Sequence, residues 1–298
     1  MMVLNHHSLS LSNANNSFSG NAISLMLKRI GLLGCGAIGT QIALAIDSGK
    51  ISAELTHIYD FDKSKSELLA SRLGKKPVIV DNPHLLSSNN VELVVEAASQ
   101  EAVKNHALSI IQNRKDLMIM SVGALLDESV FEVLFDACQE FKKKIYLPSG
   151  AIAGLDAIKS VRDELDVVML TTTKNPKALA GAKFFETNKI DISNLNSPQV
   201  IFEGAAKEAV KLFPANINVA ALLSLAGLGS QKTKVKIVAD PTTDKNIHQI
   251  EAKGRFGKIT ISVENVPDPT NPKTSRLATL SAIECLRQIC SEDIRIGT

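Results

Sequence analysis

Three closely spaced glycines near the start of the chain have the pattern that holds a pyrophosphate in many nucleotide-binding proteins. The pattern is G-x-G-x-x-G, and its members are Gly34, Gly36 and Gly39. An apolar run, 30–33, precedes it, and apolar residues at helical spacing follow over 38–46. In such a strand–turn–helix unit the glycines permit a tight turn, a close approach of the backbone to the pyrophosphate, and close helix–strand packing. The N–H groups that open the helix, at Ala37 and Ile38, would face the anion. A plain strand–helix turn is the alternative.

Asp60 is the candidate for binding the adenosine ribose. It follows the next strand-like run, 55–59, and lies 26 residues after Gly34. A carboxylate in this place accepts hydrogen bonds from the ribose hydroxyls and repels a 2′-phosphate, which favours NAD. Lys63 and Lys65 lie close by in sequence and could accommodate that phosphate, so both NAD and NADP are expected cofactors.

Small residues mark the end of the next apolar run. This run covers 91–96 and is followed by Ala97 and Ala98, where a cofactor can pass over the sheet.

His248 is the candidate proton carrier, because a histidine near its ordinary pKa can move a proton from an amine or hydroxyl during hydride transfer. Alternation in this stretch predicts that His248 and Ile250 share one strand face. An ordinary surface histidine is the alternative reading.

Several polar residues have two readings each. Asn216 and Asn218 precede a helical segment, where they either cap the helix or hold a nicotinamide. Asp156, Lys174 and Lys207 are either substrate contacts or solvated charges. The chain shows neither an H-x-x-x-H pair nor a C-x-x-C pair, so no metal site is expected.

The composition favours a globular enzyme-sized chain in a reducing compartment. The 298 residues have room for two domains, and the hydrophobic content of 45% allows a large core. The net charge of +2 gives no reason to expect nucleic-acid or membrane binding. Four cysteines without a disulfide framework suit the cytoplasm. Residues 1–27, rich in Ser and Asn, are expected to be a disordered extension.

The order of predicted elements gives a two-domain α/β chain. From residue 28 to 148 strands and helices alternate, which predicts a doubly wound parallel sheet and a dinucleotide-binding domain. The predicted strands of this part cover 29–33, 55–59, 77–80, 93–96, 116–122 and 144–147. Residues 149–274 mix strands and helices as an open α+β sheet would, and a closing helix within 275–298 is expected to rejoin the first domain.

The full set of motifs resembles the L-aspartate dehydrogenases. The likeness extends from about residue 28 to 290, with its motifs in the family's order. Those motifs are GCGAIG at 34–39, SVGAL at 121–125, PSGAIAGLDAI at 148–158, FPANINVAA at 213–221, ADP at 239–241 with His248 following, and NPKTS at 271–275.

The resemblance implies a Rossmann-type NAD(P) domain and a second domain for substrate binding and homo-oligomer contacts. It also implies oxidation of L-aspartate to iminoaspartate, which yields oxaloacetate and ammonia or supplies quinolinate and NAD synthesis. The family's catalytic histidine falls on His248, and its cofactor contacts fall on Ala124 and Asn218. Lys174, Lys207 and Lys273 are candidate partners of the substrate carboxylates.

Two other functions stay open at this point. One is a related two-domain reductase of the dihydrodipicolinate-reductase or homoserine-dehydrogenase type. The other is a non-catalytic protein that senses NAD(P) with its first domain and binds a partner with its second.

Overall fold

The structure, a computed structural model, describes most of the chain. The described residues are 27–188, 192, 194–213, 218–268, 271 and 274–291. The predicted disordered extension (apart from Leu27), Asn216 and Lys273 lie outside them. No helix within these ranges combines the length and the apolar character needed to cross a membrane.

The first sheet has six strands, all parallel, in the order β3-β2-β1-β4-β5-β6. Its strands are β1 Lys28–Leu33, β2 Ala53–Tyr59, β3 Val78–Ile79, β4 Leu93–Glu96, β5 Asp116–Ile119 and β6 Ile145–Tyr146. The helices between them are α1 Ala37–Asp47, α2 Lys63–Arg72, α3 Gln100–Gln112 and α4 Glu128–Phe141. Leu93 and Val95 pack into one apolar cluster and Val94 into another, so both sheet faces are buried. The doubly wound prediction is confirmed.

One predicted strand in this sheet is too long. The sequence pattern extended the fifth strand to Val122, but β5 ends at Ile119 and Val122–Leu126 forms a 3-10 helix. The buried Glu96 carboxylate accepts hydrogen bonds from the backbone N–H groups of Met120 and Ser121. Met120 also keeps a backbone hydrogen bond to the Glu96 oxygen, so the Ser121 N–H is the donor that the carboxylate takes where the chain leaves the sheet.

The second sheet has five strands in the order β11-β10-β7-β9-β8. Its strands are β7 Leu165–Lys174, β8 Gln199–Ala205, β9 Lys234–Ala239, β10 Asn246–Gly254 and β11 Gly257–Asn265. Only the β7–β9 pair is parallel, so the expected mixed sheet is confirmed. The helices of this part are α5 Leu155–Ser160, α6 Pro176–Leu179, α7 Lys183–Asn188, α8 Ala206–Leu212 and α9 Asn218–Ala226. They cover one sheet face with an apolar core, whereas Val167, Gln249 and Lys253 are exposed on the other face.

The last helix, α10 Arg276–Cys290, returns to the first sheet. Ala282 and Leu286 are fully buried in the same apolar cluster as Ile42 and Ile46 of α1. This return places the residues just before α10 next to the junction of the two sheets, where they line the pocket described below.

Candidate active site

The glycine turn has the tight, closely packed geometry that its spacing predicts. Gly34 has a φ of +104°, and a Cβ there would lie 2.6 Å from the carbonyl oxygen of Ala97. A Cβ on Gly39 would overlap the carbonyl oxygen of Gly34, so only glycine lets α1 pack this closely against β1. Gly36 is different, because a Cβ there would project into open space. No side chain caps the start of α1, so its first N–H groups, including those of Ala37 and Ile38, are available to an anion.

Asp60 lies at the edge of this turn, directly after β2. Its carboxylate accepts hydrogen bonds from the backbone N–H groups of Cys35, at 2.7 Å, and Asp62, at 2.9 Å. A carboxylate has about four acceptor positions, so two backbone bonds leave capacity for ribose hydroxyls. Lys63 pairs with Asp81 at 3.0 Å, and Lys65 lies 3.9 Å from Asp62. Both lysines are exposed and lie within ion-pair distance of carboxylates.

Glu96 is a buried carboxyl that the sequence reasoning noted only as the end of a strand. Its side chain accepts hydrogen bonds from the N–H groups of Ala98, Met120 and Ser121 and from the Ser121 hydroxyl, at 2.7–3.2 Å. Burial raises its pKa, and these hydrogen bonds act in the opposite direction. Glu96 thereby ties the loop after β4, which contains Ala97 and Ala98, to the loop after β5.

Asn218 connects the two halves of the molecule. It is the first residue of α9, and its side-chain oxygen accepts a hydrogen bond from the backbone N–H of Gly123 at 3.0 Å. Ala124, one residue further, is only 1% exposed and lines a different cavity from the one that contains His248. The structure therefore brings Asn218, but not the Ala124 side chain, to the pocket of His248.

A pocket lies between the two sheets. Ile38 and Met120 approach it from the first sheet, and Lys174 and His248 approach it from the second. Its other lining residues are Ile119, Val122, Pro148, Ser149, Gly150, Ala151, Asn218, Val219, Leu222, Thr274, Ser275 and Ala278. A ligand on the glycine turn and a substrate beside His248 would meet in this pocket. Within the described part of the chain, no cluster of three or more His, Cys, Asp or Glu side chains could hold a metal ion.

His248 is 2% exposed, so the surface-histidine reading is wrong. The residue lies on β10 opposite Thr172 of β7, and its Nδ1 atom is 3.0 Å from the Thr172 hydroxyl oxygen. Burial, followed by the charge of Lys174, lowers the pKa of His248 to about 3. Ile250 is buried on the same face, as the alternation predicted. The sequence reasoning missed Thr172, which only the strand pairing brings next to the imidazole.

Lys174, the last residue of β7, is 3% exposed, so its reading as a solvated charge is wrong. Burial lowers its pKa to about 8.

The other two described candidates for substrate contacts lie elsewhere. Lys207 pairs with Glu128 at 3.0 Å, with 41% of its side chain exposed, and Asp156 is an exposed residue of α5. Of the charged residues described here, Lys174 alone shares the lining of the pocket with His248.

The buried imidazole should make the free energy of unfolding depend on pH. Its pKa is about 3 in the folded chain against 6.5 when exposed, so between these values only the unfolded chain binds the proton. The contribution of His248 to the free energy of unfolding is therefore fully present above pH ~6.5. Below that pH the free energy of unfolding falls by roughly 1.4 kcal/mol per pH unit. We expect His248→Asn to show a shallower loss of stability than the unsubstituted chain in urea melts between pH 6.5 and pH 5. Parallel losses in the two proteins would contradict this assignment.

Comparison with known proteins agrees with both halves of this architecture. The family described as homoserine dehydrogenase, NAD binding domain, matches residues 34–148, and the family described as aspartate dehydrogenase, C-terminal, matches residues 156–289. The L-aspartate dehydrogenase of Nitrosopumilus maritimus is 66% identical over 272 residues, which is 91% of this chain and 100% of that protein. The chain belongs to the L-aspartate dehydrogenase family.

Other members of the family support the same conclusion over the same length. The L-aspartate dehydrogenase of Methanocaldococcus jannaschii is 44% identical over 92% of this chain and 100% of its own length. The crystal structure of the aspartate dehydrogenase of Thermotoga maritima superposes with a TM-score of 0.71 at 32% identity, covering 90% of this chain and 99% of that one. The family resemblance and the two-part fold class inferred from the sequence are thereby confirmed, and the chain is an NAD(P)-dependent oxidoreductase by family.

Proposed function

We propose that this protein oxidises L-aspartate to iminoaspartate with NAD or NADP as the hydride acceptor. The observation that carries the proposal is the pocket that buried His248 and Lys174 line together with Ile38, a residue of the glycine-turn helix. A substrate with an amine and carboxylates suits this pair, because the imidazole can take a proton and the ammonium can hold an anion.

The dinucleotide would rest on the glycine turn. Gly34, Gly36, Ala37, Ile38 and Gly39 would surround the pyrophosphate, and the open space beside Gly36 supports this placement. The loop residues Ala97 and Ala98 would lie under the cofactor, with Ala124 and Asn218 at its nicotinamide end. Ala124 would act through its backbone, since its side chain is buried. When bound, the nicotinamide supplies the acceptor for the hydride from the substrate Cα.

His248 would handle the proton that the oxidation releases. The substrate amine is an ammonium at neutral pH and must lose a proton before Cα can give up a hydride and form a C=N bond. His248 accepts that proton once the negative charge of the bound substrate has raised the pKa of the imidazole from its low value in the free site, while the Thr172 hydroxyl fixes the ring through Nδ1. The imine is then released or hydrolysed to oxaloacetate and ammonia. A released imine would be available to an enzyme that condenses it during quinolinate and NAD synthesis.

Turnover of L-aspartate is the decisive test. The purified chain, L-aspartate and either cofactor should give rising NADH or NADPH absorbance, and oxaloacetate with ammonium should reverse it. Cofactor binding without turnover would instead support the sensor alternative. The match of residues 156–289 to the aspartate dehydrogenase C-terminal family argues against the related reductases.

Asp60 should set the cofactor preference. Removing its carboxylate in Asp60→Ala deletes hydrogen-bond acceptors for the ribose hydroxyls and the repulsion of a 2′-phosphate. We expect the Kd for NADH to rise about tenfold and that for NADPH to change little or fall, roughly 1.4 kcal/mol of lost discrimination. Fluorescence titration of the two cofactors measures both values. An unchanged ratio of the two constants would place the ribose elsewhere.

We also propose the domain roles and assembly. Residues 28–148, joined by the helix within 275–298, would bind the cofactor, and residues 149–274 would bind substrate and form a homodimer or higher homo-oligomer. The uncovered face of the second sheet, with Val167 and Gln249 exposed, supports this surface as the meeting place. A solution mass equal to one 32.0 kDa chain would contradict it. The four free cysteines suit a cytoplasmic setting.

A further inference from the structure

Phe61 is the most exposed large apolar side chain in the described part of the chain. Its exposed fraction is 97%, whereas the other large apolar residues at the described surface expose 38–63%. A ring left wholly in water forgoes the favourable burial of its apolar area. Single exposed apolar residues are ordinary on protein surfaces, so what Phe61 can bind is decided by its location.

Phe61 lies in the three-residue connection between β2, which ends at Tyr59, and α2, which begins at Lys63. This is the carboxyl end of β2, directly beside the glycine turn, where the N–H of Cys35 donates to the Asp60 carboxylate at 2.7 Å. In a doubly wound sheet a nucleotide lies along this edge. The ring of Phe61 therefore belongs to the residue that follows the candidate ribose carboxylate.

Hydrogen bonds hold both neighbours of Phe61 in place. The Asp60 carboxylate accepts from the Asp62 N–H at 2.9 Å. The Asp62 carboxylate in turn accepts from the Ser64 N–H at 3.2 Å and from its hydroxyl at 2.6 Å, which caps α2. The ring is thus presented to solvent by a turn whose backbone is fixed on both sides.

We propose that Phe61 stacks on the adenine of bound NAD or NADP. This inference rests on the proposed placement of the dinucleotide on the glycine turn and adds one contact to it. The base is bonded to the ribose carbon next to the one that carries the 2′-hydroxyl, so a ribose held by Asp60 brings the adenine to the adjoining residue. An aromatic side chain stacks on the π face of a base without needing hydrogen bonds.

This contact divides the recognition of adenosine between two neighbouring residues. Asp60 acts at the 2′-position, where NAD and NADP differ, whereas the adenine is common to both cofactors. Phe61 should therefore strengthen the binding of both by the same factor. The polar side chains that follow are engaged, since Asp62 caps α2 and Lys63 pairs with Asp81 at 3.0 Å. Of residues 61–63, the Phe61 ring is the group open to a flat apolar partner.

Phe61→Ala tests the contact, because an almost fully exposed side chain can be removed with little effect on folding. We expect the Kd values for NADH and NADPH each to rise about tenfold, within the range for the loss of one base–aromatic stack, and their ratio to stay the same. The Kd for ADP-ribose, which carries the adenosine without the nicotinamide, should rise by the same factor. Calorimetric titration measures all three constants, and the melting temperature of the free variant should be unchanged.

Phe135→Ala is the matched control, since it removes an exposed phenylalanine from the middle of α4. Its Kd values for NADH and ADP-ribose should equal those of the unsubstituted protein. Phe61→Tyr keeps the ring and should bind both ligands within about twofold of the unsubstituted protein. An unchanged Kd for ADP-ribose in Phe61→Ala would overturn the assignment, and so would an equal rise in Phe135→Ala.

A second variant reports the stack directly. The chain contains no tryptophan, so Phe61→Trp introduces a single indole at this turn. Its fluorescence should be quenched as ADP-ribose saturates the site, because a base stacked on an indole quenches its emission. Phe135→Trp should show no change under the same titration. Unchanged emission of Phe61→Trp at saturation would place the adenine elsewhere.

The outcomes also separate this inference from the proposed function. If the unsubstituted protein oxidises L-aspartate and Phe61→Ala binds NADH and ADP-ribose as tightly, the stack is wrong and the proposed reaction stands. If both cofactors and ADP-ribose bind more weakly to Phe61→Ala but the unsubstituted protein does not turn over L-aspartate, the stack stands and the reaction fails. If the unsubstituted protein binds neither cofactor, both proposals fail together.

Discussion

Replacing His248 with alanine should lower kcat for L-aspartate oxidation by about 10²- to 10⁴-fold, the usual contribution of a positioned proton acceptor. The residue is 2% exposed and lines the pocket together with Lys174. The Kd for NADH should stay within about twofold, because the glycine turn and Asp60 lie on other elements. Steady-state kinetics with saturating cofactor and fluorescence titration of NADH measure the two quantities.

Thr172→Val provides the matched control for this experiment. It removes the hydroxyl 3.0 Å from Nδ1 but leaves the imidazole and the strand pairing in place. Its kcat should fall by roughly tenfold, which is less than the fall in His248→Ala. The imidazole ring loses one orienting hydrogen bond, and the removal of such a partner costs about 1–3 kcal/mol. Turnover by His248→Ala at the unsubstituted rate would remove the imidazole from the reaction.

The glycine turn could be predicted from the sequence because the residues that form it are all close together in the chain. Six consecutive residues and their apolar flanks specify the turn, and the structure places Gly34, Gly36 and Gly39 as the spacing predicts. Strand ends were harder. The Ser121 N–H just beyond the fifth strand donates to the carboxylate of Glu96, which lies 25 residues earlier in sequence. No local propensity at 116–122 carries that information.

The pocket depended on pairing between distant strands. His248 and Thr172 are 76 residues apart, and only the antiparallel register of β10 with β7 brings them together. A usable signal existed for Lys174, since the alternation of Val168, Leu170 and Thr172 along β7 places it on the covered face. A lysine at the end of such a row is expected to be solvated unless the helices that cover this face of the sheet are known. The burial of Lys174 could therefore not be predicted from the sequence.

Of the substitutions proposed for this chain, removal of the Glu96 side chain should lower the free energy of unfolding most. Glu96→Ala would leave the Ser121 N–H and hydroxyl without their acceptor in a buried loop and would open a cavity. The other two donors are spared, because Met120 also donates to the backbone oxygen of Glu96 and Ala98 is exposed to water. At about 1–3 kcal/mol for each orphaned donor, we expect the free energy of unfolding to fall by about 3 kcal/mol. Urea denaturation measures it.

Glu96→Gln and Glu92→Gln make the interpretation specific. A carboxamide in place of Glu96 has one acceptor oxygen where two were used, so its NH₂ group must face at least one backbone N–H. The loss should be smaller than in Glu96→Ala, yet larger than in Glu92→Gln, whose exposed ion pair with Arg29 contributes under about 1 kcal/mol. Because Met120 lines the pocket, Glu96→Gln should also raise the KM for the cofactor or for L-aspartate. Equal stability of Glu96→Gln and Glu92→Gln would show that the loops after β4 and β5 hold their positions without this carboxylate.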